Sequence, residues 1–379
     1  MRISVVSSSL APERLGGSET YAADLAAALA ERHEVVVHTA AVQGPSGVEI
    51  VRLPGLPDLP RDAQPGRKAA WHLRDQWRPE VHVALKRQLR RFRPDVVHTN
   101  HPQGLSGAVF SAISSCGLPH VHMVHDANVL CSRITMTRNG SFCGGDCLSC
   151  RPQRLARSAL LRRSVARLVA PSDYFRDMHV RAGVVPHERS QIIRQGARPG
   201  TVRLRESNPR LVVGYLGALA PHKGIQTLVR AFRSAPADWK LRIAGAGPLD
   251  TDLAAEARND PRVELVGLVF AERKDAFLDS LDVLVIPSEY EENAPLVAVE
   301  AAVRALPAVV SDRGGLPETA EAVVFSAGEP QALLEALHDL ADSEGQLATR
   351  SGRLHDMRER FLWSRHVDQL ERTLAVTVR

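Results

Sequence analysis

The chain has 379 residues, 44% of them hydrophobic and 24% charged, enough for two buried cores of ordinary domain size. A formal net charge of +5 suits small anionic ligands such as nucleotide diphosphates but not a nucleic-acid surface, and aromatics at 4% leave little for base stacking. No run approaches the roughly 18 apolar residues of a membrane span, and Met1-Arg2-Ile3-Ser4-Val5-Val6 is too short for a signal peptide, so a cytoplasmic location is expected.

In chain order, short β-branched runs at 3–7, 35–39, 96–99, 121–125 and 168–170 read as strands. Between the first two, residues 17–32 place Tyr21, Leu25, Ala28 and Leu29 at helical spacing. The same rhythm restarts after the Arg-, Pro- and Gly-containing stretch at 194–209, with strands predicted at 211–216, 241–244, 263–266, 283–286 and 308–311. Such alternation predicts an α/β fold of two doubly wound, Rossmann-like domains facing a central cleft. The predicted domains are 1–195, with a cysteine-rich loop at 130–151, then 196–358, with a C-terminal helix at 359–379 packing back on the first. Ligands of such sheets bind outside the carboxyl ends of the strands, which predicts a nucleotide-like ligand and no more.

Four of the five cysteines, Cys131, Cys143, Cys147 and Cys150, fall in one polar, glycine-bearing loop. Thiolates at this knuckle-like spacing suit a tetrahedral structural zinc, which would staple a loop that has little core of its own. Free thiols are the plain alternative. Cys143-x-x-x-Cys147-x-x-Cys150 also spells the iron–sulfur motif of radical-SAM enzymes, although it interrupts a doubly wound domain here instead of following the first strand of a barrel. Next come Arg151, Arg154, Arg157, Arg162, Arg163 and Arg167 with Leu155, Leu160 and Leu161 between them. A basic amphipathic helix of this kind reads as a solvated face, or as a surface for anionic lipid or an anionic acceptor.

The most informative stretch is Ile286-Pro287-Ser288-Glu289-Tyr290-Glu291-Glu292-Asn293-Ala294-Pro295-Leu296-Val297-Ala298-Val299-Glu300. A strand ends at Pro-Ser, and a helix is predicted from near Pro295, whose first-turn N–H groups favour an anion. Glu292 and Glu300 flank that site, so one carboxylate suits sugar hydroxyls and the other a ribose diol. A solvated acidic loop ahead of an amphipathic helix would give the same pattern. Asp250-Thr251-Asp252 reads as a helix start and not as a metal-diphosphate motif, because acids in a first turn favour the helix dipole.

The stretch resembles the signature of the retaining glycosyltransferases of family 4, two glutamates separated by seven residues, with matching Pro-Ser, Glu-Asn-x-Pro and Glu-Ala elements. The resemblance extends along most of the chain. Leu15-Gly16-Gly17-Ser18-Glu19 is similar to the family's glycine-rich loop, and Val124-His125-Asp126 to its histidine-bearing strand end. Ala170-Pro171-Ser172 and Ile193-Arg194-Gln195-Gly196 are similar to segments that close its first domain. The stretch 214–224, Ala244-Gly245-Ala246-Gly247-Pro248 and Val266-Gly267 resemble its donor-domain blocks.

The resemblance implies a GT-B fold with the donor on the second domain and the acceptor mainly on the first. It assigns Glu292 to donor-sugar hydroxyls, Glu300 to the ribose, and Lys223 to the diphosphate. Asn293, Ala294, Pro295, Leu296 and Val297 would give backbone contacts, with Gly247 in a neighbouring donor block. His125 would touch the donor sugar, and Gly16 and Gly17 would let backbone approach the phosphates. The chain departs from the family at Gly217-Ala218-Leu219, where an arginine often follows the glycine; Lys223, Arg14, His222 or Arg313 are the cations at hand to serve instead.

The expected function is retaining transfer from a nucleotide-sugar, UDP- or GDP-linked, to a hydroxyl of a small-molecule, glycan or lipid-linked acceptor. No metal is expected in the chemistry, and any zinc would be structural. A nucleotide-sugar epimerase of the same fold and a non-catalytic sugar-nucleotide binder remain the alternatives.

Overall fold

The computed structural model describes residues 1–14, 16–57, 59, 63–132, 134–138, 141–144, 147, 150–206, 210–342 and 345–378. Leu15 of the glycine-rich loop, Asn139, Gly140, Gly145, Asp146, Leu148 and Ser149 of the cysteine-rich loop, and residues 207–209 of the predicted linker lie outside them. The chain divides into two compact units. The first comprises Met1–Arg138, Cys143–Ile193 and Val367–Arg379, and the second Asn139–Phe142 with Arg194–His366.

The first unit contains strands β1 (Arg2–Val6), β2 (Glu34–Thr39), β3 (Glu49–Arg52), β4 (Val96–Thr99) and β5 (His120–Met123). The two-residue strand β6 (Thr137–Arg138) follows, then β8 (Arg167–Ala170) and β9 (Ser190–Ile192), while the two-residue β7 (Ser141–Phe142) falls in the segment that belongs to the second unit. Seven of these form one parallel sheet in the order β3-β2-β1-β4-β5-β8-β9. Its central strands are covered on both faces, β4 and β5 being buried at every position although they carry His98, Thr99, His120 and His122. The accompanying helices are α1 (Gly17–Ala30), α2 (Pro65–Arg74), α3 (Pro79–Phe92), α4 (Ala108–Cys116), α5 (Arg151–Ser164) and α6 (Asp173–Arg181). In α3 the apolar stripe Val81, Leu85 and Leu89 is buried, at the four-residue spacing that places them on one face. Ser172 caps α6 by accepting the Phe175 N–H, as the Ala-Pro-Ser motif before a helix leads one to expect.

The second unit contains β10 (Val212–Leu216), β11 (Lys240–Ala244), β12 (Val263–Gly267), β13 (Val283–Ile286), β14 (Ala308–Ser311) and β15 (Val323–Phe325). They too form a parallel sheet, in the order β12-β11-β10-β13-β14-β15. Helices α7 (Ile225–Phe232), α8 (Asp250–Asn259), α9 (Ala271–Asp279), α10 (Leu296–Ala302), α11 (Pro330–Asp342) and α12 (Gln346–Met357) complete it. A core around Trp239, Phe232, Leu241 and Leu337 packs on one face of this sheet. Helix α8 opens at Asp250, whose Oδ1 accepts the Gly247 N–H at 2.9 Å, so this acid serves as a helix start. The last helix, α13 (Trp363–Val378), belongs to the first unit from Val367 onward. There Arg32 pairs with Asp368 at 3.2 Å and His33 with Glu371 at 2.5 Å. Among the described residues no helix is long and apolar enough to cross a membrane.

All ten predicted strands are present, and the fold class is the predicted one. The two-residue strands β6 and β7, in neither large sheet, are additional, as are β3, β9 and β15, each of which lies at the edge of its sheet. These edge strands are three or four residues long and largely half-exposed, so they lack the apolar run by which a buried strand is recognised. The basic helix differs from expectation in two residues. Arg167 belongs to β8, and Arg157 is buried, its guanidinium bonded to Asp75 at 2.6 Å and to the carbonyl and side-chain oxygens of Asn128 at 3.0 and 2.9 Å. A single arginine on the inner face of α5 thus serves packing, while Arg162 and Arg163 face solvent.

Both sheets reverse their strand order beside the first strand, between β1 and β4 and between β10 and β13. Loops leaving the carboxyl ends of strands flanking such a switch point are where ligands of doubly wound sheets bind. In the first unit these loops carry Ser8, Ser9, Asn100 and His101; in the second they carry Lys223 and the 287–295 segment.

Candidate functional site

Lys223 and Glu292 come together in the second unit from the two loops at its switch point. Gly224, at φ 69, makes the meeting possible, since a Cβ there would lie 1.7 Å from the Pro287 carbonyl oxygen. Behind Glu292, Gly314 at φ 61 lets the segment after β14 approach, a Cβ there falling 2.1 Å from the Glu292 carbonyl oxygen. The same oxygen accepts the Gly315 N–H at 2.7 Å.

The Glu292 carboxylate is nearly buried and fully engaged on one oxygen. Oε1 accepts Lys223 Nζ at 2.7 Å and Ser288 Oγ at 2.8 Å, while Oε2 accepts the Tyr290 hydroxyl at 2.8 Å. Lys223 Nζ also donates to the Tyr290 hydroxyl at 2.8 Å, and His222 packs edge-on against that ring at 5.0 Å. Burial pushes the Glu292 pKa upward; the Lys223 charge and the hydrogen bonds from Lys223, Tyr290 and Ser288 outweigh it and hold the group below its usual value. The carboxylate is therefore ionised at neutral pH. With about four acceptor sites on two oxygens, it keeps one on Oε2 for an incoming hydroxyl.

Eight residues on, Glu300 lies in α10 with Oε1 2.5 Å from Lys274 Nζ of α9. Asn293 is buried, and Ala294, Pro295, Leu296 and Val297 are partly buried, with Pro295 as the N-cap residue of α10. At Ala218, where the family often has arginine, the backbone carbonyl accepts the Tyr215 hydroxyl at 2.7 Å. Of the substitute cations in this unit, Arg313 stands 3.6 Å from Asp312, and His222 packs on Tyr290. Lys223 is the one that reaches the Glu292 carboxylate.

Gly16 and Gly17 of the first unit open α1, and a Cβ on Gly16 would lie 2.3 Å from Glu19 Oε2. Glu19 is buried and accepts Ser9 Oγ at 3.1 Å and Ser18 Oγ at 2.9 Å, with Arg14 at 3.6 Å. His125 follows β5; its Nε2 donates to Asn100 Oδ1 at 3.0 Å and its ring meets Tyr21 edge-on at 4.7 Å. Beside it, His101 Nδ1 stands 2.9 Å from Asp126 Oδ2. Burial lowers the His101 pKa, yet the Asp126 charge and contact outweigh it and raise the pKa above the ordinary 6.5. Burial likewise raises Asp126, and His101 more than reverses this. His101 lines a cavity of about 470 Å³ together with Ser8, Ser9, Arg14, Trp71 and Gln103.

Of the four loop cysteines, Cys131 is buried in the first unit's core, with Cys143 and Cys150 packed against the same cluster. Cys147 begins the turn into α5, its carbonyl accepting the Cys150 N–H at 3.0 Å. Among the described residues no three His, Cys, Asp or Glu side chains form a group that could hold a metal ion.

Sequence reasoning names Glu292, Glu300, Lys223 and His125 as site residues, and does not name Ser288, Tyr290, Gly314, Lys274 or the His101–Asp126 pair as such. Ser288 and Tyr290 carry a local signal, being polar residues four and two positions before Glu292 on one loop. Gly314 and Lys274 carry none, since they reach the Glu292 backbone and the Glu300 carboxylate only through sheet and helix packing.

Comparison with known proteins identifies the family and the fold type. The families described as Glycosyltransferase Family 4 and Glycosyl transferases group 1 match residues 15–199 and 210–343. A D-inositol 3-phosphate glycosyltransferase of Corynebacterium diphtheriae is 24% identical over 98% of this chain and 93% of its own length. An uncharacterized 42.6 kDa protein in the cps region of Klebsiella pneumoniae is 25% identical over 84% of this chain and 87% of its own. Among solved structures, Anabaena Alr3699/HepE in complex with UDP superposes with a TM-score of 0.74 at 18% identity, covering 99% of this chain and all of that one. With two parallel-sheet, Rossmann-like units of the GT-B type, the chain belongs to glycosyltransferase family 4.

Proposed function

We propose that the protein transfers a sugar, with retention of configuration, from a UDP- or GDP-sugar to an acceptor hydroxyl. The observation that carries this reading is the Glu292 carboxylate, ionised and held by Lys223, Ser288 and Tyr290 with acceptor capacity left on Oε2. The solved Anabaena relative binds UDP, which supports a nucleotide donor here. In this reading Glu292 accepts hydroxyls of the donor sugar, Lys223 offsets charge on the departing diphosphate, and the backbone of residues 293–297 supplies further donors. Gly247 has a supporting role, because its N–H is donated to Asp250. His125, Gly16 and Gly17 are assigned to the donor sugar and phosphates on the family resemblance.

Charge grows on the leaving diphosphate in an oxocarbenium-like transition state, so fixed cations and N–H donors give the main stabilisation. A leaving phosphate oxygen takes the acceptor hydroxyl's proton on the same face, with no metal ion in the step. The acceptor belongs in the first unit, where the cavity beside His101 offers hydroxyl, amide, imidazole and guanidinium groups along one Trp71 edge. That lining suits a polar polyol or glycan headgroup, and the exposed cations of α5 suit a lipid-linked form at an anionic membrane surface. A structural zinc on Cys131, Cys143, Cys147 and Cys150 rests on their sequence spacing alone, since their side chains are not gathered into a metal-holding group among the described residues, and it takes no part in the chemistry; metal analysis of purified protein tests it, and zinc-free folded protein ends it.

The test is a thermal-shift and slow-hydrolysis screen against UDP-, GDP-, ADP- and dTDP-sugars beside Glu292→Ala and Glu300→Ala. Stabilisation by one nucleotide family, lost in Glu300→Ala, is the expected result. Well-folded protein that responds to none of the four overturns the reading. Conversion of the donor to a sugar epimer without any acceptor replaces it with the epimerase.

A further inference from the structure

The donor reading leaves one ion pair unexplained. Lys274 Nζ stands 2.5 Å from Glu300 Oε1, with the two side chains 32% and 20% exposed. Helix α9 is fastened where this contact needs it to be. Asp275 and Asp279, on the same helix, both reach the buried Arg304, and Arg304 Nη1 donates at 3.0 Å to the Glu300 carbonyl oxygen. The ammonium is thus delivered to the carboxylate by a rigid helix-to-helix connection.

The identity of the cation matters chemically. A carboxylate offers about four acceptor sites. An ammonium is a point charge that takes one site on Oε1 and leaves Oε2 and part of Oε1 available. A guanidinium pairs with both oxygens in parallel and would close that edge of the carboxylate. Lysine is scarce here, five residues among 48 Lys and Arg, yet both glutamates of the signature segment pair with one, Glu292 with Lys223 and Glu300 with Lys274. Each carboxylate is also neutralised, which removes the repulsion that a bare glutamate would exert on a diphosphate.

We propose that Lys274 is a positioning residue for Glu300: its ammonium ties one carboxylate oxygen and neutralises the group, so that the remaining acceptor sites meet the 2′- and 3′-hydroxyls of the nucleotide ribose. The position accepts lysine and rejects arginine for that reason. The inference rests on the donor reading given above.

Binding of UDP, GDP and ADP, each beside its 2′-deoxy counterpart, tests it by calorimetry on wild type, Lys274→Met, Lys274→Arg and Glu300→Gln. Wild type is expected to prefer the ribonucleotide by roughly 10-fold or more, the range for a hydrogen bond to a charged group. Lys274→Met and Lys274→Arg, folded as judged by an unchanged circular dichroism spectrum, are both expected to bring that preference to within about 3-fold, close to Glu300→Gln. A merely structural lysine would weaken both nucleotides alike and leave their ratio unchanged, which overturns the proposal, as does a wild-type ratio in Lys274→Arg. Wild type that binds the diphosphates without ribose preference overturns it while sparing the donor reading. Wild type that binds none of them brings down both.

Discussion

Each unit holds a close acid–base pair beside its switch point, and these two pairs are built from different bases. In the second unit Lys223 faces Glu292; in the first His101 faces Asp126. Both carboxylates are held below their usual values by their cations, so each contributes stability above its unfolded pKa that is lost as pH falls through the lower folded one. The His101 pKa is raised, so its contribution is complete below 6.5 and is lost as pH rises through the folded value. The first unit also buries His38, His120, His122 and His179 in neutral form, where the second unit has His366. One fold plan thus gives a site whose carboxylate, Glu292, stays ionised across neutral pH and a site whose imidazole, His101, titrates above 6.5.

The largest effect expected from breaking this contrast lies at Glu292. Glu292→Ala should cost about 10²–10³-fold in transfer rate, the range for losing one well-placed electrostatic contact. Lys223→Met should also destabilise the second unit by about 3 kcal/mol, the low end for stranding a buried charge because Lys223 is a quarter exposed. Urea titration read by a probe in that unit measures this, and an unchanged midpoint would mean that Tyr290 and Ser288 hold the carboxylate unaided. In the first unit Arg157→Met should cost a similar 3–5 kcal/mol, since the guanidinium is buried against Asp75 and Asn128. That loss should appear in stability with the nucleotide affinity of the second unit unchanged.

These residues also show how far the sequence can be read. The central strands carry short β-branched runs, so the centre of each sheet is legible in the sequence, and the edges β3, β9 and β15 are not. Glu292 and Glu300 were legible because a single loop and helix present them at a fixed spacing. Lys274, Gly314 and Asp126 act across distances of 26, 22 and 25 residues from Glu300, Glu292 and His101, and no local pattern records such pairings. Arg157 shows the opposite error, since a regular basic stripe suggested one solvated face although one of its members points inward.

Acid stability sharpens the comparison further. His38 is fully buried against Ser4 Oγ at 2.9 Å, and burial pushes its pKa down to about 4. Between pH 6.5 and about 4 the unfolded chain binds a proton that the folded one refuses, so stability falls by up to about 3 kcal/mol for this group. His38→Gln should flatten that fall in urea titrations at pH 7.5, 6 and 5. Hydrogen exchange at pH 5 should find the first unit opening before the second. Equal opening would place the acid-labile groups elsewhere.

The smallest effect, and the most direct reading of the contrast, is the titration of His101 itself. With Asp126 in place its imidazole should titrate above 6.5 despite burial, because the carboxylate charge outweighs the desolvation that lowers it. Asp126→Asn keeps the shape and the Asn128 N–H contact but removes the charge, leaving burial as the leading influence. The midpoint of the His101 imidazole resonance should therefore cross from above 6.5 to below it. The Glu292 resonance should show no change over the same range, since its partner is a lysine. If His101 titrates alike in both proteins, Asp126 orients the ring without setting its charge.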